Sequence, residues 1–149
     1  MEVFRITLPK WANSLTASGR PARWSPNGRF VVYTAASRAL ACLENVVHRS
    51  GEGLSEHFRV MVIEIPDGLK MEKIALGDLP ENWAEFENYP LCQKIGGQWL
   101  AENGSAVLEV PSAIVPMEKN FLLNPAHPDF SKIRIIATEG FSFDPRIKT

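Results

Sequence analysis

One stretch of the sequence links the fold to the candidate chemistry: Ser37-Arg-Ala-Leu-Ala-Cys-Leu-Glu-Asn-Val-Val-His48. Spacings of three and four residues predict a helix that carries four of its side chains on one face, Leu40, Leu43, Glu44 and Val47. Such a face points into a core, where a carboxylate is costly unless it is paired or hydrogen-bonded. Glu44 therefore either marks the place where the apolar face reaches the surface or is a charge held for a function.

The rest of the chain predicts a mixed α+β fold. Apolar runs predict strands at residues 3–7, 30–34, 59–65, 106–110, 120–124, 133–138 and 141–143. A second helix is predicted at 90–102, although Gly96 and Gly97 weaken that pattern. Residues 10–28 read as a long loop, and 79–83 as a turn or short helical piece. Strands and helices do not alternate strictly, so we expect a mixed, twisted β-sheet with two or three helices.

Composition excludes several classes of protein. The 149 residues suit one domain, and 45% of them are apolar. The formal net charge is −1, with no strongly basic block, so direct nucleic-acid binding is not expected. No apolar run is long enough for a bilayer, and the N-terminus has no signal-peptide pattern, so we expect a cytoplasmic protein without membrane contact. Cys42 and Cys92 lack zinc-ligand spacing.

Five further side chains are candidates for a site, and each has a structural alternative. Arg5 in the first strand and Arg23 in the long loop could face water or bind an anion such as phosphate. Trp24 could cover the core edge or form an aromatic wall for a flat ligand. Tyr33 and Ser112 end strands, where a polar side chain either satisfies a local hydrogen bond or lines a cleft.

Other motifs are absent from the sequence. It contains no Gly-x-Ser-x-Gly elbow, P-loop or GxGxxG pattern. The three histidines, His48, His57 and His127, lack metal-ligand spacing, and we interpret all three as structural, with no metal site.

Taken together, these residues resemble the RES-domain family, which is named for an arginine, a glutamate and a serine. The resemblance covers nearly the whole chain. Its most specific parts are Val110-Pro-Ser-Ala-Ile-Val-Pro116 and Asn120-Phe-Leu-Leu-Asn-Pro-Ala-His-Pro128. Matching segments also surround Arg5, Arg23, Tyr33, Glu44 and the ending at 141–146. One departure is Ala22, where the family usually has a glycine before its Arg-Trp pair, so close backbone approach of a ligand at that turn is in doubt.

The resemblance implies one domain over residues 1–149 with a fold similar to that of ADP-ribosyltransferases. Family members are typically toxins of bacterial toxin–antitoxin pairs with an Xre-like antitoxin, and they tend to form homodimers. They are thought to cleave the nicotinamide–ribose bond of NAD, which is a substrate here, so no separate cofactor is implied. The acceptor stays open between water, phosphate and a protein side chain. A catalytically silent module that binds a partner protein is the alternative.

The resemblance also implies roles for individual residues. Arg5, Glu44 and Ser112 would be catalytic, with Glu44 stabilising the positive charge that develops on the ribose. NAD would be bound by Arg5, Arg23, Trp24, Tyr33, Glu44 and Ser112. In this scheme the arginines hold the pyrophosphate or ribose and Tyr33 stacks on the nicotinamide. Ser112 either bonds the carboxamide or orients Glu44.

Overall fold

The computed structural model, which describes residues 1–49, 51–54 and 57–147, contains one seven-stranded mixed sheet and two α-helices. The strands are β1 (Glu2–Thr7), β2 (Val32–Ala35), β3 (Phe58–Glu64), β4 (Met71–Lys73), β5 (Val107–Pro111), β6 (Lys119–Leu123) and β7 (Arg134–Phe141). The helices are α1 (Arg38–His48) and α2 (Tyr89–Glu102). The strand order is β4-β5-β6-β2-β1-β3-β7, and only β4 and β5 pair in parallel. The α+β prediction is confirmed.

The observed strands and turns differ from the predicted ones at several places. The strand predicted at 133–138 belongs to β7, which continues to Phe141 and has a bulge opposite Val62 and Ile63. The separate strand predicted at 141–143 is wrong, because β7 ends at Phe141 and residues 142–143 lie outside it. Strand β4 was missed because its three residues, Met-Glu-Lys, show no apolar alternation and none of them is buried. The region 79–83 forms turns, and a 3₁₀ turn follows at Phe86–Asn88. Neither α-helix has the length and hydropathy needed to span a membrane in the part of the chain that the structure describes.

Both helices pack on the same face of the sheet, over different halves. Strand register places Phe4, Ala35, Tyr33, Leu122 and Leu108 on this face. Helix α1 covers the β1–β3 half, and α2 covers the β5–β6 half. A third apolar cluster fills the opposite face. Two cores on one face leave a space between the helices.

The predicted apolar face of α1 is only partly right. Ser37 caps the helix, since its hydroxyl accepts from the amide of Leu40 at 3.0 Å. Leu40 is buried, but Leu43 is 38% and Val47 55% exposed. The helix instead buries the side that carries Leu40 and Ala41, and Glu44 lies at the border of that side.

The sheet is weakest between β1 and β2. Six residues of β1 pair with β3, whereas β1 meets β2 at a single position, Phe4 with Ala35. The carbonyl of Ile6 accepts a hydrogen bond from Asn45 Nδ2 of α1 at 3.3 Å. This gap between the two halves of the sheet is where a cavity opens.

Helix α2 packs against the long loop through a glycine. A Cβ atom at Gly96 would lie 1.6 Å from the carbonyl oxygen of Trp24, so no side chain fits there without movement of the backbone. Gly96, one of the two glycines that weakened the helix prediction, is therefore required by packing. It holds the segment that carries Arg23 against α2.

We expect Gly96→Ala to destabilise the protein by about 1–3 kcal/mol, because the methyl group overpacks the Trp24 backbone. Gly97→Ala is the matched control, since its Cβ would meet Pro26 Cγ at an ordinary 3.6 Å. That control should be neutral or stabilise by about 0.5–1 kcal/mol, the usual gain of alanine over glycine in a helix. Urea unfolding of the two variants tests this, and equal stabilities would contradict it.

Candidate functional site

A cavity of about 670 Å³ lies at the gap between β1 and β2, within the size range of small-molecule sites. Its walls come from β1, β2, α1, the loop around Arg23 and the segment after β5. Five of the six predicted NAD-binding residues are among the lining residues: Arg5, Arg23, Trp24, Tyr33 and Glu44. Ser112 lies directly behind the wall and touches Glu44.

Glu44 is neither sealed in the core nor fully exposed. Its side chain is 23% exposed and lines the cavity. The oxygen Oε1 accepts a hydrogen bond from Ser112 Oγ at 3.1 Å. The other oxygen, Oε2, lies 3.4 Å from Nε2 of His48. A carboxylate fixed in this way presents negative charge to a ligand without rotating freely.

Ser112 is completely buried and acts as the support of Glu44. Its hydroxyl oxygen accepts hydrogen bonds from the amides of Ile114 and Val115, at 3.1 and 3.2 Å, while its proton goes to Glu44. The amide of Ser112 itself bonds to the carbonyl of Glu118. Of the two sequence-based roles for this serine, the geometry favours orienting the glutamate.

Arg5 and Arg23 are charged groups whose bonds go to neutral partners. Arg5 Nη1 donates to the carbonyl of Thr16 at 3.2 Å, and burial lowers the pKa of Arg5, which nevertheless stays protonated. Arg23 donates to the carbonyls of Trp83 and Ala84 at 3.4 and 2.9 Å. Within the described residues, neither arginine forms an ion pair with a carboxylate.

The cavity is therefore positive although the chain is slightly acidic. Its charged lining residues are Arg5, Arg23, Arg49 and Glu44, with His48 beside them. Arg49 donates to Asn45 Oδ1 at 2.9 Å, again a neutral partner. Guanidinium groups held by carbonyl and amide oxygens keep their full charge for a bound anion. This wall suits a phosphate-bearing ligand.

Tyr33 and Trp24 connect the loop to the sheet. The Tyr33 hydroxyl lies 2.6 Å from Ser25 Oγ and accepts from the amide of Trp24 at 3.2 Å. Burial is the main cause that raises the pKa of Tyr33 to about 12. The Trp24 ring is 3% exposed and packs against Trp83 at 5.8 Å, so it belongs to the core beneath the cavity.

The alanine at the Arg-Trp turn fits without strain. Ala22 and Ser25 exchange backbone hydrogen bonds at 2.9 and 3.3 Å, and Gln93 donates to the Ala22 carbonyl. In the described chain, Asn103 is the one non-glycine residue with positive φ, so Ala22 needs no glycine conformation. Its amide is used by Ser25 and is not available to a ligand.

Several cavity residues, including the charged Arg49, were missed from sequence. His48 was interpreted as structural, but it lies four residues after Glu44 and therefore on the same side of α1. Tyr89 carries the Arg23 guanidinium 4.5 Å above its ring, a contact between distant segments that no local pattern signals. Asn120, at the start of β6, also lines the cavity. The structure describes no cluster of three or more metal-ligating side chains in the ranges it covers.

The chain is similar in sequence to RES-domain proteins and to toxins. A family model described as "RES domain" matches residues 2–144. A "Prs ADP-ribosylating toxin" of Sphingobium sp. (strain YBL2) is 39% identical over 91% of this chain and 88% of its own length. A "Toxin Res" of Yersinia enterocolitica is 35% identical over 99% of this chain and 100% of its own.

A solved structure supports the fold. A chain in the crystal structure of the M. tuberculosis MbcT–MbcA toxin–antitoxin complex superposes with a TM-score of 0.75. The superposed region covers 95% of this chain and 84% of the neighbour's chain, and the two sequences are 15% identical. At that identity the likeness concerns the fold alone.

The buried hydroxyl of Tyr33 predicts a loss of stability at alkaline pH. The pKa is about 12 in the folded chain against 10.0 for free tyrosine, so the stabilisation is complete below pH 10 and disappears between pH 10 and 12. The decrease in the free energy of unfolding that is attributable to Tyr33 is about 2–3 kcal/mol.

Tyr33→Phe should lower the free energy of unfolding by about 1 kcal/mol at neutral pH, but the variant should lose less stability than the wild type between neutral pH and pH 12. Tyr89→Phe, at the chain's other tyrosine, should keep most of the fall in denaturant unfolding, because burial and not Tyr89 is the main cause of the raised pKa of Tyr33. An unchanged alkaline profile in Tyr33→Phe would contradict this account.

Proposed function

The chain belongs to the RES domain family and is a toxin of a toxin–antitoxin system, and we propose that it acts by cleaving NAD between nicotinamide and ribose. The observation that carries the proposal is the Glu44 carboxylate, fixed by buried Ser112 at the wall of a positively charged cavity. One ligand class fits both charges. A dinucleotide brings a pyrophosphate for the arginines and a reacting sugar that becomes cationic.

Glu44 supports the bond-breaking step. When the C1′–N1 bond breaks, its electron pair leaves with the nicotinamide nitrogen, and C1′ becomes part of an oxocarbenium-like cation. A preorganised carboxylate stabilises that cation more than it stabilises the substrate, and this difference accelerates the reaction. The hydrogen bond from Ser112 holds the carboxylate in place before the charge develops.

The remaining lining residues support binding of the pyrophosphate and the nicotinamide of NAD. Arg5 and Arg23 face the cavity with charges that no described carboxylate neutralises, which suits the pyrophosphate. Tyr33 has its hydroxyl committed to Ser25, so in this scheme its ring offers stacking to the nicotinamide. NAD is the substrate, and no step in the scheme needs a metal or a separate cofactor.

The ADP-ribosyl group then passes to an acceptor. We favour water or phosphate, which would destroy the NAD pool. Transfer to a protein is the second candidate, because a relative that matches most of the chain is named an ADP-ribosylating toxin. The position of Glu44 on the open wall, at 23% exposure, leaves room for an acceptor to approach.

We further propose an Xre-like antitoxin as the partner and a homodimer as the state of the toxin. The structural neighbour comes from a toxin–antitoxin complex, which supports an antitoxin partner. Val47 lines the cavity and is 55% exposed, so an apolar edge borders the opening that an inhibitor would cover.

We expect Glu44→Gln to reduce nicotinamide release from NAD by about 10²–10³-fold, because the amide keeps the shape but lacks the charge. The products are separated by chromatography, with and without phosphate, to identify the acceptor. Glu81→Gln, at an exposed position, is the matched control and should keep wild-type activity.

Intact NAD with the wild-type protein under all conditions, including with candidate acceptor proteins, would refute cleavage. A thermal shift with NAD in the absence of turnover would instead indicate a binding module.

Ser112→Ala tests the support of Glu44. The variant leaves Oε1 without its donor and two partly buried amides without their acceptor, so we expect a loss of about 1–3 kcal/mol in stability. We also expect kcat to fall about 10-fold or more with KM little changed, because misplacing a charge weakens its effect in the transition state more than in the bound substrate. A change confined to KM would point to direct substrate binding by Ser112.

A further inference from the structure

The two oxygens of the Glu44 carboxylate face different surroundings. Oε1 is directed to the buried hydroxyl of Ser112. Oε2 is directed to the end of α1, where it lies 3.4 Å from Nε2 of His48. The carboxylate therefore has an inner side that fixes it and an outer side that carries an imidazole.

His48 occupies the part of the wall that solvent reaches. Its side chain is 64% exposed, compared with 23% for Glu44, yet it lines the same cavity. The helical spacing of four residues keeps the two side chains together. An acceptor that enters from solvent would pass the imidazole on its way to the sugar held at Glu44.

We propose that His48 is the general base that takes the proton from a hydroxyl acceptor after the nicotinamide–ribose bond has broken. This inference rests on the proposed function and adds a residue that neither the motif nor the resemblance assigns. Imidazole is the side chain most often used for proton removal near neutral pH. Nε2 of His48 lies 3.4 Å from Oε2 of Glu44, so the ring is held beside the carboxylate that faces the sugar.

With water as the acceptor, the reaction is the hydrolysis of NAD. The C1′–N1 bond breaks, and its electron pair leaves with nicotinamide. The oxygen of water forms a bond to C1′, its proton passes to the imidazole of His48, and the imidazole later releases that proton to solvent. The products are nicotinamide, ADP-ribose and one proton.

Two related reactions do not need a base. A phosphate dianion attacks C1′ through an oxygen that carries no proton. Free nicotinamide attacks C1′ through its ring nitrogen in the reverse of cleavage, which exchanges labelled nicotinamide into NAD. If His48 acts only in proton removal, replacing it must affect hydrolysis far more than phosphorolysis or exchange. If His48 only positions Glu44, all three reactions must fall together.

The test measures these three rates for His48→Gln and His48→Asn in the full chain. Hydrolysis should fall by about 10²-fold, while phosphorolysis and nicotinamide exchange should change by less than about threefold. The exchange assay uses radiolabelled nicotinamide with unlabelled NAD. Because His48 is largely exposed, both variants should fold, and their melting temperatures verify this.

His57→Gln is the matched control, since His57 is also exposed but contacts Ser142 and lies outside the cavity. It should leave all three rates unchanged. Equal losses in all three reactions, or no loss in any of them, would overturn the assignment of His48. A wild-type protein that neither releases nor exchanges nicotinamide would overturn the proposed function itself, and Glu44→Gln, which should lose all three, separates the two outcomes.

Discussion

The hydrogen bond from Ser112 to Glu44 is the contact on which the site depends, because it joins two halves of the molecule that the sheet itself barely connects. Glu44 belongs to α1, which packs over β1 and β3, whereas Ser112 follows β5 in the other half. Between them, β1 and β2 share one paired position. A fully paired sheet would close the cavity, so the incomplete pairing is what leaves space for a ligand.

The positive wall carries a cost in stability that the proposed function would explain. Buried or half-buried guanidinium groups are most stable beside carboxylates, yet Arg5 and Arg23 are held by main-chain carbonyls of Thr16, Trp83 and Ala84. Carbonyl oxygens fix the direction of an arginine without cancelling its charge. A protein selected for stability alone gains nothing from this choice, whereas a protein that binds a pyrophosphate does.

Sequence was informative wherever the relevant pattern was local. The strands that contain Arg5 and Tyr33 and the strand that precedes Ser112 follow from apolar runs, and the structure has them. The buried side of α1 was misjudged, because helical spacing alone does not tell which of two adjacent apolar stripes meets the sheet. Contacts between distant segments left no local signal, such as Gly96 against the Trp24 carbonyl or Arg23 above Tyr89. Pairing partners at that range are set by the tertiary fold, not by periodicity.

The order of residues on α1 has a consequence for how reaction steps are separated. Helical geometry places Glu44 one turn before His48, so the carboxylate lies deeper and the imidazole nearer to solvent. In the proposed mechanism, the cation would form beside the less exposed carboxylate, and the acceptor would lose its proton beside the more exposed imidazole. A carboxylate that had to perform both tasks would be neutralised by the proton it removed at the moment when its charge stabilises the sugar. With His48 as the proposed base one turn away, Glu44 would keep its charge throughout the reaction. This is a physical reason for placing two polar groups at a wall where one would be enough to bind the substrate.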